Sequence, residues 1–181
     1  MDAWFYMDAY ETVVTKLETR EFDSKKPVPR DIKVKVMDAA RSTASGMNSQ
    51  HWRFILLQDS RNLKQLADDS STGKWVAAAG FAVIVLTDPK MPFRGIDAGR
   101  AVQNMQITAW NFGVSSRVYT GFNEQKMRID YAIPSSFEIT IIVGFGFPTK
   151  KITGKRKKRV PLDEIAYLEK YGNKLEKDNI S

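Results

Sequence analysis

The chain contains no cysteine and a single histidine among its 181 residues. Without thiols there is no disulfide framework, no thiol nucleophile and no cysteine-ligated zinc. No run of about eighteen apolar residues is present, so no transmembrane helix is expected. The opening residues MDAWFYMDAYETVV carry acids and lack a basic n-region, so a secretory signal is not expected either. These absences fit a cytoplasmic protein. There are also no internal repeats and no low-complexity segment. What is present is 43% hydrophobic and 11% aromatic residues, which argues against disorder and for one domain spanning 1–181 with a substantial core.

The formal charge of +7 raises the question of nucleic acid, and its distribution answers it. Residues 150–159, KKITGKRKKR, hold seven cations and no anion, which leaves the rest of the chain formally neutral. The basicity is one local arm, followed by a terminal helix and tail over 161–181. A duplex binder more usually spreads its cations over a helix or sheet face. A nucleic-acid-binding module built on that arm would bind in a salt-sensitive way, lost when the arm is neutralised. It would leave the polar loop described next unexplained.

Hydrophobic periodicity and turn residues lay out the elements. A first helix is predicted over 3–18, and an extended segment with Pro27 and Pro29 over 19–30. A second helix follows over 31–44, with Ile32, Val36, Ala39 and Ala40 on its apolar stripe. Apolar strands are expected at 52–57, 81–86, 116–119 and 137–145. The run FAVIVL at 81–86 implies burial on both faces. Between the strands, helices are predicted over 61–67, over 96–112 and, capped by Asn123, over 124–131. A last helix has Pro161 in its first turn. Strands separated by helices indicate a mixed sheet covered by helices.

The stretch from Ser45 to Gln50 joins the second helix to the first strand with small and amide residues. Gly46 permits close approach of the backbone to a bound group, while Asn48 and Gln50 each offer a donor and an acceptor. Such a loop suits a flat ligand with several hydrogen-bonding groups. It also reads as an ordinary polar connection.

The ordered series resolves this ambiguity. A basic cluster ending in Arg20-Glu21-Phe22, Val28-Pro29, a helix with Ala39-Ala40-Arg41, and Ala44-Ser45-Gly46-Met47-Asn48-Ser49-Gln50-His51-Trp52 together resemble the nitroreductase family of FMN-dependent flavoproteins. The resemblance runs to about residue 171. It implies the family's α+β fold, an intertwined homodimer with FMN at the subunit interface, and hydride passed from NAD(P)H to a flat acceptor such as a nitroaromatic or quinone in ping-pong order. A same-fold flavin reductase or reductive dehalogenase is the alternative chemistry. Because the flavin carries the difficult step, the scarcity of cysteine and histidine is no obstacle.

The resemblance also assigns residues. The FMN phosphate maps onto the cluster Lys16, Glu18 and Arg20 and onto Lys157 and Arg159 of the arm, where guanidinium can bind phosphate oxygens bidentately. The pyrimidine side of the ring maps onto Ser45, Asn48, Gln50 and Lys74. The backbone at Thr120 and Gly121 is the implied catalytic donor toward the reactive ring nitrogen, which becomes more negative on reduction. No metal is implied. His51 stands where the family has proline, and a structural or pocket-rim role is expected for it. In three places the chain departs from the pattern: Leu17 replaces a frequent cation, Ala44 a proline, and Glu18 a phosphate-binding serine. A carboxylate repels phosphate, so Glu18 is expected to point away from that site.

Overall fold

The computed structural model describes residues 8–150, 158–175 and 178. Its centre is a four-stranded sheet formed by β1 (Arg53–Leu57), β2 (Phe81–Thr87), β3 (Ser115–Tyr119) and β4 (Glu138–Gly146), in the spatial order β1-β2-β4-β3. Every pairing between these strands is antiparallel. The parallel element of the expected mixed sheet is only a bridge between Glu18 and Ser116. That bridge brings the segment after the first helix onto β3, and Thr19 N–H donates to the Ser116 carbonyl at 3.3 Å.

Helices cover both faces of the sheet. α2 (Arg30–Arg41) and α4 (Arg94–Asn111) lie on one, while α3 (Ser60–Asp68) and α5 (Glu124–Asp130) lie on the other. β2 explains why two layers form. Its side chains alternate, so Phe81, Val83 and Val85 join Ile32 and Val36 of α2 and Met105 of α4. Ala82, Ile84 and Leu86 turn to Leu63 and Leu66 of α3 and Met127 of α5. A strand apolar at every position must be covered on both sides. Each such fully buried Val, Ile or Phe contributes about 1.5–3 kcal/mol relative to exposure.

Two element ends differ from the periodicity in ways that matter for the site. α1 spans Ala9–Thr15, with Asp8 accepting from the Tyr10 and Glu11 amides at its start. The expected helix continued to residue 18; instead Lys16 leaves helical geometry at φ −53°, ψ 123°. Ser115 Oγ donates to the Leu17 carbonyl at 2.9 Å, which draws the chain toward β3. α4 begins at Arg94 rather than 96, and Asp97 lies buried in its first turn. At the far end, α6 is a single turn over Leu162–Ile165 that Pro161 precedes, so Leu168 lies beyond it. Among the described residues no helix is long and apolar enough to cross a membrane.

Candidate functional site

The Ser45–Gln50 loop forms a 3-10 turn over Gly46–Asn48. Asn48 N–H donates to the Ser45 carbonyl at 3.0 Å, and Gln50 N–H to Ser45 Oγ at 3.0 Å. Three non-glycine residues in this short loop are left-handed: Met47 at φ 54°, Asn48 at 53° and Gln50 at 46°. Each such conformation costs on the order of 1 kcal/mol or more and persists only where the surroundings impose it.

Asp97 holds the loop from outside, on either side of these residues. Its side chain is only 3% exposed, and its Oδ2 accepts from the Gly46 N–H at 3.0 Å and lies 3.2 Å from His51 Nε2. A carboxylate oxygen accepts, so this contact places the imidazole proton on Nε2. His51 Nδ1 is then buried without a hydrogen-bond partner among the described residues. Arg100 approaches the other Asp97 oxygen at 3.8 Å. Gly46 is pressed on the Phe93 ring, where a Cβ would come within 2.7 Å of Cδ2. The loop is thus clamped at both ends to the start of α4, with the side chains of Asn48 and Gln50 exposed.

Sequence reasoning missed Asp97. An acid in a helical first turn is ordinary, since it complements the helix dipole. The available signal was a carboxylate among Ile96, Ala98 and Ala101 in the most apolar helix. His51 has the structural role expected of it, as a buried strut at the base of the loop.

A second group gathers beside β3. Lys16 Nζ donates to Glu18 Oε1 at 3.2 Å and to Gln106 Oε1 of α4 at 3.2 Å. Gln106 Nε2 in turn donates to Ser116 Oγ at 3.0 Å, and Arg117 lies 4.0 Å from Glu18 Oε2. Glu18 therefore does not turn away from its neighbouring cations; it pairs with them. Arg20 is exposed. Arg159 is exposed too, and its guanidinium donates to the adjacent Lys158 carbonyl at 3.3 Å. Lys157 lies outside the described residues.

The third group surrounds Thr120 and Gly121, which follow β3. The Gly121 carbonyl accepts from the Ser71 and Thr72 amides at 2.9 and 3.3 Å, and a Cβ on Gly121 would strike both those side chains. Ser70 Oγ donates to Tyr119 Oη at 3.0 Å, and Asn123 N–H to the Asp69 carbonyl at 2.7 Å. The turn after α3 thus fixes the Thr120–Gly121 backbone, while Thr120 stays exposed. Lys74 points elsewhere: its ammonium reaches the Asp68 carbonyl at 3.3 Å.

Asp69, beneath this turn, is nearly buried, and one carboxylate oxygen has no partner among the described residues. Burial, and then the neighbouring Asp130 carboxylate, push its pKa above the ordinary 3.8. The folded state therefore holds this proton more tightly than the unfolded chain. The associated stability is complete below the unfolded value and is lost as pH rises through the folded one. Asp69→Asn is expected to raise the melting temperature at pH 7, and the gain should shrink as pH approaches 4. Thermal melts across that range check it; a variant less stable than the parent at pH 7 contradicts it.

The three groups fit a flavin unequally. Exposed amides on a rigid loop and a pinned backbone turn suit the polar edge of a flat heterocycle. At the phosphate end, the best-buried cation already has a carboxylate partner.

The sequence model of the Nitroreductase family matches residues 18–90. A Methanothermobacter thermautotrophicus protein with the provisional name NADH dehydrogenase/NAD(P)H nitroreductase is 26% identical, over 80% of this chain and 79% of its own. The crystal structure of a nitroreductase family protein from Clostridium difficile 630 superposes with a TM-score of 0.79 at 25% identity, covering 91% of this chain and 99% of that one. A crystal structure described as an oxidoreductase containing FMN gives 0.77 at 23% identity, covering 90% and 92%. Residues 18–90 match the Nitroreductase family model, and the chain shares the fold of solved nitroreductase-family structures.

Proposed function

We propose that the protein is an FMN-dependent oxidoreductase that works as a homodimer with the flavin at the subunit interface. The observation that carries this reading is the strained Ser45–Gln50 loop, clamped by Asp97 and presenting Asn48 and Gln50 outward. A loop that holds three left-handed side-chain-bearing residues is preorganised, and preorganisation lowers the ordering cost of binding. Ser45 fixes the turn from within, through its bond to Gln50 N–H. Asn48 and Gln50 would meet the donors and acceptors of the pyrimidine edge. The backbone at Thr120 and Gly121, braced by the Ser71 and Thr72 amides, would favour the reduced ring from a fixed position. Lys16, Arg20, Lys157 and Arg159 are the cations available to the phosphate, and Lys74 would have to leave the Asp68 carbonyl to contribute.

The chemistry a bound FMN supplies is hydride transfer from NAD(P)H to a flat acceptor such as a nitroaromatic or quinone, in ping-pong order. The chain's own part is to bind, to orient and to hold the ring against fixed dipoles. Steady-state NAD(P)H oxidation with FMN present, at several quinone concentrations, tests the reading. Parallel double-reciprocal lines are expected; no acceptor-dependent turnover with either nicotinamide would overturn it.

A further inference from the structure

We propose that Glu18 is a built-in counter-ion for Lys16, weakening this chain's preference for a phosphorylated flavin over the same flavin without its phosphate. The inference rests on the flavin reading above and concerns the anion end of that site. Lys16 is the cation best placed to be strong. Its side chain is only 12% exposed, so its charge is poorly screened, and its ammonium sits between Glu18 Oε1 and Gln106 Oε1, each at 3.2 Å. Glu18 is 26% exposed and also receives Gln106 Nε2 at 3.4 Å and Arg117 at 4.0 Å. The carboxylate thus occupies the position, relative to two cations and an amide, that an incoming anion would take.

The geometry follows from the end of α1. On a helix continued to residue 18, Lys16 and Glu18 would not face each other. Because the chain becomes extended after Thr15, residues two apart fall on the same side and the pair closes. The cleft alongside, of about 380 Å³, adds Glu21 and Lys150 to Glu18 at its wall, two carboxylates to one ammonium among the described residues. Lys150 itself lies 3.5 Å from Glu21. Among the described residues, a phosphate approaching here meets cations already paired and more carboxylates than ammonium groups.

Parallel equilibrium titrations with FMN and with riboflavin, on the full chain and on Glu18→Gln, test this. Glutamine keeps the length and the hydrogen bond to Lys16 while removing the charge. The expected result is that Glu18→Gln binds FMN about tenfold more tightly, with riboflavin affinity unchanged. The gain should vanish in the Lys16→Met, Glu18→Gln double variant, which shows that it acts through Lys16. An FMN-to-riboflavin affinity ratio that is the same in parent and Glu18→Gln, with both flavins binding, overturns the counter-ion role and leaves the functional reading standing. Failure of both flavins to bind either protein overturns both.

Discussion

Asp97→Ala is expected to cost about 2–4 kcal/mol of stability, because it strands a buried imidazole N–H and a half-buried backbone N–H, and a buried donor left unsatisfied costs about 1–3 kcal/mol. The donors are the Gly46 N–H and His51 Nε2, both on Asp97 Oδ2 at 3.0 and 3.2 Å. The effect should extend to ligand binding. With its clamp gone, the loop no longer has to keep Met47, Asn48 and Gln50 left-handed and would relax. FMN affinity is then expected to fall by about tenfold or more, the equivalent of about 1.4 kcal/mol of lost preorganisation. Urea denaturation and flavin titration read the two effects separately. An Asp97→Ala protein that binds FMN as tightly as its parent would show that the loop is not the ring site.

The second large effect lies in the core. Phe145 on β4 is fully buried and stacks on Phe81 of β2 with ring centroids 4.6 Å apart and planes 8° from parallel. Phe145→Ala removes that ring from a layer closed by α2 and α4, and the sheet cannot collapse into the space. The expected cost is about 3–5 kcal/mol. At about 2–4 °C per kcal/mol for a chain of this size, the melting temperature should fall by roughly 10 °C. A calorimetric or circular-dichroism melt checks it, and a shift of under about 2 °C would contradict the packing described.

Much of this architecture could be read from residue patterns. The unbroken apolar run at Phe81–Leu86 required a strand with two covered faces, and both helical layers follow from it. Ile32, Val36 and Ala40 appear on the buried stripe of α2 as their spacing implied, and Asn123 caps α5 by accepting from the Lys126 amide. The loop from Ser45 to Gln50 was legible as a candidate site because small and amide residues concentrate there.

The parts that were not legible depend on contacts distant in sequence. Asp97 meets a glycine amide 51 positions earlier, which no local pattern records. Gln106 looks like a stray polar residue on an apolar helix until Lys16 and Ser116 are placed around it. The end of α1 is set by Ser115 and Ser116 pulling on residues 17–19, and helical propensity alone ran the element too far. The ordinary reading of that cluster, ion pairs of Lys16 and Arg20 with Glu18 or Glu21, holds for Lys16 and Glu18. Lys74, a cation in a suggestive position, donates to the Asp68 carbonyl at 3.3 Å on the surface.

The central claim is that this chain forms a flavin site around the clamped loop. It is tested most directly by the visible spectrum of oxidised FMN titrated with purified protein under anaerobic conditions. The spectrum is then followed after NADH or NADPH is added. The account predicts a saturable perturbation of the flavin band at one flavin per chain, then bleaching of that band by the nicotinamide. Folded protein in excess that leaves the FMN spectrum unchanged would contradict it.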